Sequence, residues 1–168
     1  AAVSRAMSAA GLQPRFVHGR RYTDSATLEI VERVLAYEIN ESLAAQIDTL
    51  GGSAKPLNFR TTNLLFGEPI QLNGSDGHPL DLGHVGHVTK VDCERIMELC
   101  GAGIVPVIPS MCVADDGQKL NVNADTAATA VAQAVGAEKL VFLSDVNGVR
   151  RDKNDPETLV HSLTAVEA

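Results

Sequence analysis

The chain has 168 residues, of which 45% are hydrophobic and 21% are charged. These proportions are ordinary for one compact globular domain with a sizeable core. Aromatic residues make up only 4% and tryptophan is absent, so we expect a core of valine, leucine, isoleucine and alanine, which favours helices packed on a parallel sheet. The net charge of −7 argues against a general nucleic-acid binder, which needs a basic surface. No apolar run approaches the ~20 residues that span a bilayer, so no membrane partner is expected.

The cysteines give a prediction about the compartment. Cys93, Cys100 and Cys112 form no CxxC pair, and their odd number leaves one unpaired in any intrachain disulfide framework. Cys93 and Cys100 are spaced so that they lie on one face of a predicted helix. We therefore predict buried thiols in a reducing compartment, and a cytoplasmic protein.

The first third of the chain predicts helices. Residues 1–10 are strong helix formers, and Gly11 stands where helices commonly end. Thr23 or Asp24 can cap a second helix, whose apolar side chains recur at helical spacing as far as Gly51. These apolar side chains are Leu28, Val31, Leu35, Leu43, Ile47 and Leu50.

Strand and helix signals alternate in the rest of the chain. Residues 53–91 contain short strand-like runs separated by turn residues, which predicts β-hairpins. Asp92 caps a predicted helix, residues 104–108 form a β-rich run, a helix follows 123–125, and a buried strand is predicted at 140–143. This alternation indicates an α/β fold with a mainly parallel sheet.

Both ends of the sequence predict a continuation. Residues 1–10 begin as a helix without a cap, and Thr164-Ala165-Val166-Glu167 is a capping-box pattern with one residue after it. We therefore expect the chain to be an internal piece of a longer domain, with natural frayed ends as the alternative.

The segment Leu120-Asn121-Val122-Asn123-Ala124-Asp125 is the most informative one for function. Asn121, Asn123 and Asp125 alternate, so in an extended segment their side chains would point the same way. The helix that follows offers free N–H groups and a partial positive charge at its N-terminus. The alternative is that Asn123 or Asp125 only caps this helix.

Two further segments carry polar groups at positions where ligands commonly bind. Leu143-Ser144-Asp145-Val146-Asn147-Gly148-Val149 follows the predicted buried strand, and ligands bind open α/β sheets at the carboxyl ends of their strands. A simple β-turn is the alternative. Arg20 and Arg21 stand just before a helix cap, and an arginine can hold a carboxylate with two parallel hydrogen bonds. A solvated basic pair is the ordinary explanation.

Taken together and in this order, the motifs resemble acetylglutamate kinases of the amino acid kinase family over essentially the whole chain. The matching runs are Gly-Arg-Arg-Tyr-Thr-Asp at 19–24, Asp-Leu-Gly-His-Val-Gly at 81–86, Gly-Ile-Val-Pro-Val-Ile at 103–108, Asn-Val-Asn-Ala-Asp at 121–125 and Leu-Ser-Asp-Val-Asn-Gly-Val at 143–149. The resemblance implies a three-layer α/β/α sandwich with a mainly parallel central sheet plus β-hairpins. It also implies one partial domain, with residues 1–120 in the acetylglutamate-binding half and 121–168 opening the ATP-binding half.

The resemblance also implies roles for individual residues. Arg21 would hold the α-carboxylate of N-acetyl-L-glutamate, Asn121 would hydrogen-bond the same ligand, and Asp125 would be the catalytic-site aspartate that positions lysines around the transferred phosphoryl group. The start of the nucleotide loop would comprise Ser144, Asp145 and Gly148. The expected cofactors are ATP and Mg²⁺ held mainly through the nucleotide phosphates, and a homodimer is expected.

The sequence also departs from the family pattern. The family's Gly-Lys and triple-glycine segments and its second catalytic lysine have no match here, so we expect this chain alone to be inactive. The lysines that do not stand in the matching contexts are Lys55, Lys90, Lys119, Lys139 and Lys153. Alternatives are a related kinase for another carboxylate or carbamate, or a non-catalytic ligand-binding or assembly module. His84 and His87 lack an evident third ligand, so we expect no metal held by the protein.

Overall fold

The computed structural model describes residues 2–73, 77–144, 146, 148–152, 154–164 and 166. The helices are α1 (Ala2–Ala9), α2 (Ser25–Val31), a π-helical segment (Glu32–Ile39), α3 (Asn40–Thr49), α4 (Cys93–Gly101), α5 (Ala124–Ala134) and a 3₁₀ turn (Pro156–Thr158). The strands are β1 (Phe16–Val17), β2 (Arg20–Arg21), β3 (Ala54–Pro56), β4 (Leu65–Pro69), β5 (Leu72–Asn73), β6 (Pro79–Leu80), β7 (Val85–Val91), β8 (Val105–Val107), β9 (Met111–Val113) and β10 (Lys119–Val122).

Helix starts follow the predicted caps. The Asp24 carboxylate accepts a hydrogen bond from the Thr27 N–H at 2.8 Å, and the Asp92 carboxylate accepts one from the Arg95 N–H at 3.1 Å. Each bond satisfies a backbone donor that the first helical turn leaves free. The helices predicted after Asp24 and Asp92 are therefore confirmed, and α1 confirms the helix predicted within residues 1–10.

The π-helical segment was not predicted, because the apolar stripe of this region fits an ordinary helix. In a π-helix the backbone bonds join residues five apart, and the side chains here pair at the same spacing. Tyr37 donates to the Glu32 carboxylate, and Arg33 pairs with Glu38. Glu32 also forms an ion pair with Lys119, which ties the helical segment to β10.

Four strands form a closed ring in the order β10, β7, β4, β9. β10 pairs with β7 in parallel and with β9 in antiparallel orientation, and β4 pairs with β7 antiparallel. At Gly86 of β7 the chains approach so closely that a Cβ atom would lie 2.7 Å from Leu120 Cδ1, so only glycine fits there. Leu65, Cys112, Leu120 and Val122 lie in or on these strands and form the core of the ring together with Ala127 of α5.

Shorter pairings complete the fold. β3 pairs with β8 in parallel, and β5 pairs with β6 in antiparallel orientation, as do β1 and β2. The predicted α/β class is thus confirmed, and so are the hairpins predicted within 53–91. Within the part of the chain that the structure describes, no helix has the length and apolar character to cross a membrane.

Two predictions are wrong. Residues 140–143 form no strand, and Leu143 is 96% exposed. An apolar run becomes a strand only beside a partner that completes its backbone hydrogen bonds, and no described strand pairs with this run. Cys93 and Cys100 are exposed, and only Cys112 is a buried thiol.

The reason for the exposed cysteines is the orientation of α4. This helix turns Ile96 and Leu99 to the core, where they pack with Leu57 and Leu64. Cys93 and Cys100 lie beside that stripe and not within it.

Candidate functional site

A tight hairpin places Arg21. His18 and Gly19 connect β1 to β2, and both have positive φ angles, 47° and 75°. Two such residues in a two-residue loop are typical of a turn whose twist matches antiparallel strands. The hairpin sets Arg21 opposite Phe16, with the guanidinium carbon 4.8 Å from the centre of the Phe16 ring.

Among the residues that the structure describes, the Arg21 guanidinium has only weak or neutral hydrogen-bond partners. It donates to Ser4 Oγ at 3.0 Å and to Met7 Sδ at 3.2 Å, and a thioether is a poor acceptor. Among the described residues, no aspartate or glutamate forms an ion pair with Arg21. Partial burial lowers the pKa of Arg21 from its usual value, but a guanidinium remains charged. Arg21 is therefore a fixed positive charge that an anionic ligand can still engage.

Asn121 is held from both sides. In β10 it lies opposite Val85 of β7 and Met111 of β9, and its N–H donates to the His84 carbonyl at 2.9 Å. Its side-chain Nδ2 donates to Thr23 Oγ1 at 3.1 Å. The position of the amide is thus set by two strand pairings and one side-chain bond.

Arg21 and Asn121 line the same cavity, whose volume is about 270 Å³. These residues are 100 positions apart in the sequence, and the fold brings them together. The residues that line the cavity are Val3, Phe16, Gly19, Arg20, Arg21, Val31, Leu35, Val85, Ser110, Asn121, Val122, Asn123 and Ala124. This lining contains two arginines and, within the described part of the chain, no acidic side chain. The cavity is therefore electropositive.

Asn123, and not Asp125, caps α5. Asn123 Oδ1 accepts from the Thr126 N–H at 3.0 Å and from Thr126 Oγ1 at 3.1 Å. Asp125 stands in the first turn of α5, where its negative charge is favourable, and its side chain is exposed. The expectation that all three motif side chains point one way is wrong, because the helix begins at Ala124 and ends the alternation. Asn121 and Asn123 line the cavity, whereas Asp125 does not.

The residues predicted for the nucleotide loop lie elsewhere. Ser144 is exposed, and its Oγ accepts from the Val146 N–H at 3.4 Å. Gly148 is exposed with a φ of 126°, a conformation that favours glycine. Asp145 lies outside the described residues. Neither Ser144 nor Gly148 lines the cavity that contains Arg21 and Asn121.

A second, larger cavity lies beside β8. Its volume is about 500 Å³, and it is bounded by the π-helical segment, α3, β8, α5 and Leu140. Its lining is almost wholly apolar, with Lys139 at one side. The described residues contain no group of three histidine, cysteine, aspartate or glutamate side chains placed to hold a metal ion.

Sequence reasoning missed two residues of the site region. Thr23 was considered only as a helix cap, but Asp24 caps α2 and Thr23 bonds Asn121 instead. Ser110 lines both cavities, and no local pattern marks it. The sequence feature that could have identified Thr23 as part of the site is its position directly after Arg21 and Tyr22, within the run Gly-Arg-Arg-Tyr-Thr-Asp at 19–24.

Comparison with known proteins identifies relatives of the whole chain. The model of the amino acid kinase family matches residues 1–168. The acetylglutamate kinase of Methanopyrus kandleri is 46% identical over 94% of this chain and 64% of that protein. The corresponding protein of Heliobacterium modesticaldum is 41% identical over 91% of this chain and 53% of that protein, and that of Methanocaldococcus jannaschii is 37% identical over 98% and 56%. The chain thus spans between 53% and 64% of the length of these curated relatives.

Solved structures share the fold. The structure of smu.665 from Streptococcus mutans superposes with a TM-score of 0.78 at 25% identity, covering 89% of this chain and 59% of that chain. An N-acetylglutamate synthase from Neisseria gonorrhoeae superposes with a TM-score of 0.74 at 24% identity, covering 94% of this chain and 34% of that chain. At this identity the likeness to the synthase concerns the fold alone.

Proposed function

Because the chain belongs to the amino acid kinase family, we propose that the protein containing it is an acetylglutamate kinase. This enzyme transfers the terminal phosphoryl group of ATP to the side-chain carboxylate of N-acetyl-L-glutamate and forms an acyl phosphate, a step of arginine biosynthesis. The names of the curated relatives support this activity and do not favour the alternative kinases or a non-catalytic module.

The observation that carries the proposal is the electropositive cavity with Arg21 and Asn121 on its wall. Free glutamate has an ammonium group, which two arginines disfavour and which no acidic side chain of the lining would pair with. N-acetyl-L-glutamate has a neutral amide in its place and keeps both carboxylates. The charge of the cavity therefore favours the acetylated compound over the free amino acid.

Arg21 is proposed to bind the α-carboxylate of this ligand. Its guanidinium presents a planar fork, and the present partners Ser4 and Met7 are neutral, so a carboxylate would replace weak contacts with a charge-assisted pair. Asn121 is proposed to hydrogen-bond the same ligand from β10. Both side chains are held by hairpin or strand pairing, which limits the ordering cost of binding.

Asp125 is proposed as an organiser of the reacting groups and not as a base. The nucleophile is a carboxylate with an ordinary pKa of about 4.3, so it is already ionised at neutral pH and has no proton to lose. The remaining difficulty is electrostatic, because an anion must approach a polyphosphate. Positioning and positive charge are what such a transfer requires. The exposed carboxylate of Asp125 at the start of α5 is suited to orient lysine side chains.

ATP and Mg²⁺ are proposed as the phosphoryl donor and its counter-ion. Mg²⁺ would be held mainly by the nucleotide phosphates, since this ion usually binds substrate phosphates and only one or two carboxylates. Ser144, Asp145 and Gly148 remain the proposed start of the nucleotide loop. We further propose a cytoplasmic homodimer, which sedimentation of the complete protein would test.

The decisive experiment uses the complete protein that contains these 168 residues. Acyl phosphate formation is measured by trapping with hydroxylamine, with ATP and either N-acetyl-L-glutamate, L-glutamate or N-acetyl-L-aspartate. We expect kcat/KM for N-acetyl-L-glutamate to exceed that for L-glutamate by about 100-fold or more. Equal activity on both compounds, or activity on aspartate or carbamate alone, would refute the proposed substrate.

A further inference from the structure

The structure contains a buried polar centre directly behind the cavity, at Thr23. This residue is fully buried, yet all its polar groups are bonded. Its N–H donates to the Leu82 carbonyl at 3.0 Å, and its carbonyl accepts from the His84 N–H at 2.6 Å. Its hydroxyl donates to the Arg21 carbonyl at 2.9 Å and accepts from Asn121 at 3.1 Å. Thr23 therefore joins both proposed ligand residues to the loop before β7.

The proton of the Thr23 hydroxyl determines the orientation of the Asn121 amide. A hydroxyl has one proton to donate, and the carbonyl of Arg21 can only accept it. Towards Asn121 the hydroxyl must therefore act as the acceptor, so the amide nitrogen has to face Thr23. If the amide were flipped, its oxygen and the Arg21 carbonyl would compete for one proton, and a buried acceptor would be left without a partner.

The other end of the amide is left for a ligand. Asn121 lines the cavity and Thr23 does not, so Nδ2 is turned towards the protein interior. Within the described part of the chain, no group donates to Asn121 Oδ1. This oxygen is an acceptor, and the donor that suits it is an N–H group.

We propose that Thr23 is a positioning residue that locks the Asn121 amide with its oxygen as the acceptor for the ligand, so that the cavity selects a ligand whose α-nitrogen carries an amide N–H. The inference rests on the proposed function, because it assigns Asn121 to the recognition of the acetamido group of N-acetyl-L-glutamate.

The close packing around Thr23 supports this role. Gly83 has a φ of 66°, and a Cβ atom there would fall within van der Waals contact of the Thr23 carbonyl oxygen. The loop before β7 can therefore lie against Thr23 only with glycine at this position. This packing fixes the position of the Thr23 hydroxyl beside the Asn121 amide.

The test compares two ligands on the complete protein. One is N-acetyl-L-glutamate, and the other is its ester analogue, 2-acetoxyglutarate, in which an oxygen replaces the N–H. KM and kcat are measured for the wild type, Thr23→Val and Thr23→Ser. Thr27→Val is the matched control, because Thr27 is also buried at the start of α2 but does not line the cavity.

The wild type is expected to prefer the amide over the ester by about 10-fold to 100-fold, since the ester leaves Oδ1 without a donor. In Thr23→Val the amide of Asn121 can rotate, so the KM for N-acetyl-L-glutamate should rise about 10-fold while kcat changes less than about 3-fold. The preference for the amide should fall to about 3-fold or less. Thr23→Ser keeps the hydroxyl and should restore the preference, and Thr27→Val should keep it.

Separate outcomes overturn the two proposals. A wild type that does not phosphorylate N-acetyl-L-glutamate refutes the proposed function. A wild type that does so but accepts the ester equally well refutes the inference about Asn121, whatever the variants do. A Thr23→Val protein that retains the full preference refutes the role of Thr23. If the valine variant fails to fold, as judged by its circular dichroism, Thr23→Ala removes the same hydroxyl without adding bulk.

Discussion

The pair Arg21 and Asn121 and the segment at 143–149 were both predicted to bind ligands, but only the pair lies in a cavity whose walls are built from paired strands. Asn121 lies in β10 between β7 and β9, and the neighbouring Leu120 is fully buried. Leu143 and Ser144 are exposed and pair with no described strand. Strand pairing, more than the polar motif itself, therefore determines where these side chains point.

The first prediction tests this contrast by comparing the free energy of unfolding of two leucine variants, one in each region. In the 168-residue chain, Leu120→Ala should reduce the free energy of unfolding by about 3 kcal/mol, because it opens a cavity in the core of the ring. Leu143→Ala should change it by less than about 0.5 kcal/mol, because Leu143 is 96% exposed. Urea denaturation followed by circular dichroism provides both values. Equal losses would mean that 140–143 packs as the buried strand that the sequence predicted.

The second prediction concerns Asp125, which lies between the two regions in sequence. In the complete protein, Asp125→Asn should lower kcat by about 100-fold, or about 2.7 kcal/mol of barrier. Because Asn123 already caps α5, the melting temperature should hardly change. Asp115→Asn, at an exposed site outside the cavity, is the control.

The pH dependence of the same variant tests the mechanism. If Asp125 only orients other groups, the wild-type kcat should show no acid limb between about pH 6 and 8 that disappears in Asp125→Asn. Such a limb would indicate proton transfer by Asp125. A variant with wild-type kcat would mean that the carboxylate has no part in the reaction.

The third prediction tests whether Arg21, on the wall of the cavity, binds the ligand. Arg21→Lys keeps the positive charge but loses the two-pronged donor, so KM for N-acetyl-L-glutamate should rise about 10-fold with little change in kcat. Arg15→Lys is the control, since Arg15 lies on the same hairpin over the Tyr22 ring and does not line the cavity. Steady-state kinetics of the complete protein separates the two constants. An unchanged KM would remove Arg21 from the site.

The smallest effect is expected at Tyr37, which lies in the π-helical segment, and concerns the pH dependence of stability. Burial and the Glu32 carboxylate raise the pKa of Tyr37 to about 12, whereas an unfolded tyrosine titrates near pH 10. The neutral phenol therefore stabilises the fold fully below about pH 10, and this contribution is lost as the pH rises through 12.

Thermal melts of the 168-residue chain at pH 9 and pH 11 measure that loss. The drop in Tm between the two values should be smaller by a few degrees in Tyr37→Phe than in the wild type. Lys119 and Arg60 are present in both proteins, so the difference between them reports on the Tyr37 phenol. Tyr22→Phe, which leaves the hydrogen bond from Tyr37 to Glu32 intact, is the control. If Tm fell in Tyr37→Phe by as much as in the wild type, the loss of stability could not be assigned to the ionisation of Tyr37.

Local chemistry in the sequence was sufficient to predict the helix starts and the hairpins. Asp24 and Asp92 cap helices because a short carboxylate can reach the free N–H groups of the first turn. For α5 the sequence left Asn123 and Asp125 as alternatives, since both residue types cap well, and the structure assigns the cap to Asn123.

Features that depend on distant partners could not be predicted in the same way. The π-helical segment is accompanied by the pairing of Glu32 with Lys119, far along the chain. The exposure of Cys93 follows from the way α4 packs, which the spacing of the cysteines does not reveal. Arg21 and Asn121 were named from the resemblance to a family, and their common cavity became visible only in the fold. Their roles in binding remain predictions.

The closed ring of β10, β7, β4 and β9 has a consequence for amide hydrogen exchange. Each of these strands pairs on both sides within the ring, so a backbone amide that is hydrogen-bonded inside the ring can exchange with solvent only when the ring opens. The N–H of Asn121, bonded to the His84 carbonyl, should be among the slowest to exchange, whereas amides at 140–144 should exchange within the dead time. The ligand would then meet a wall that is already rigid before it arrives. Because it would bind only the closed ring, its binding should slow the exchange of Asn121 further.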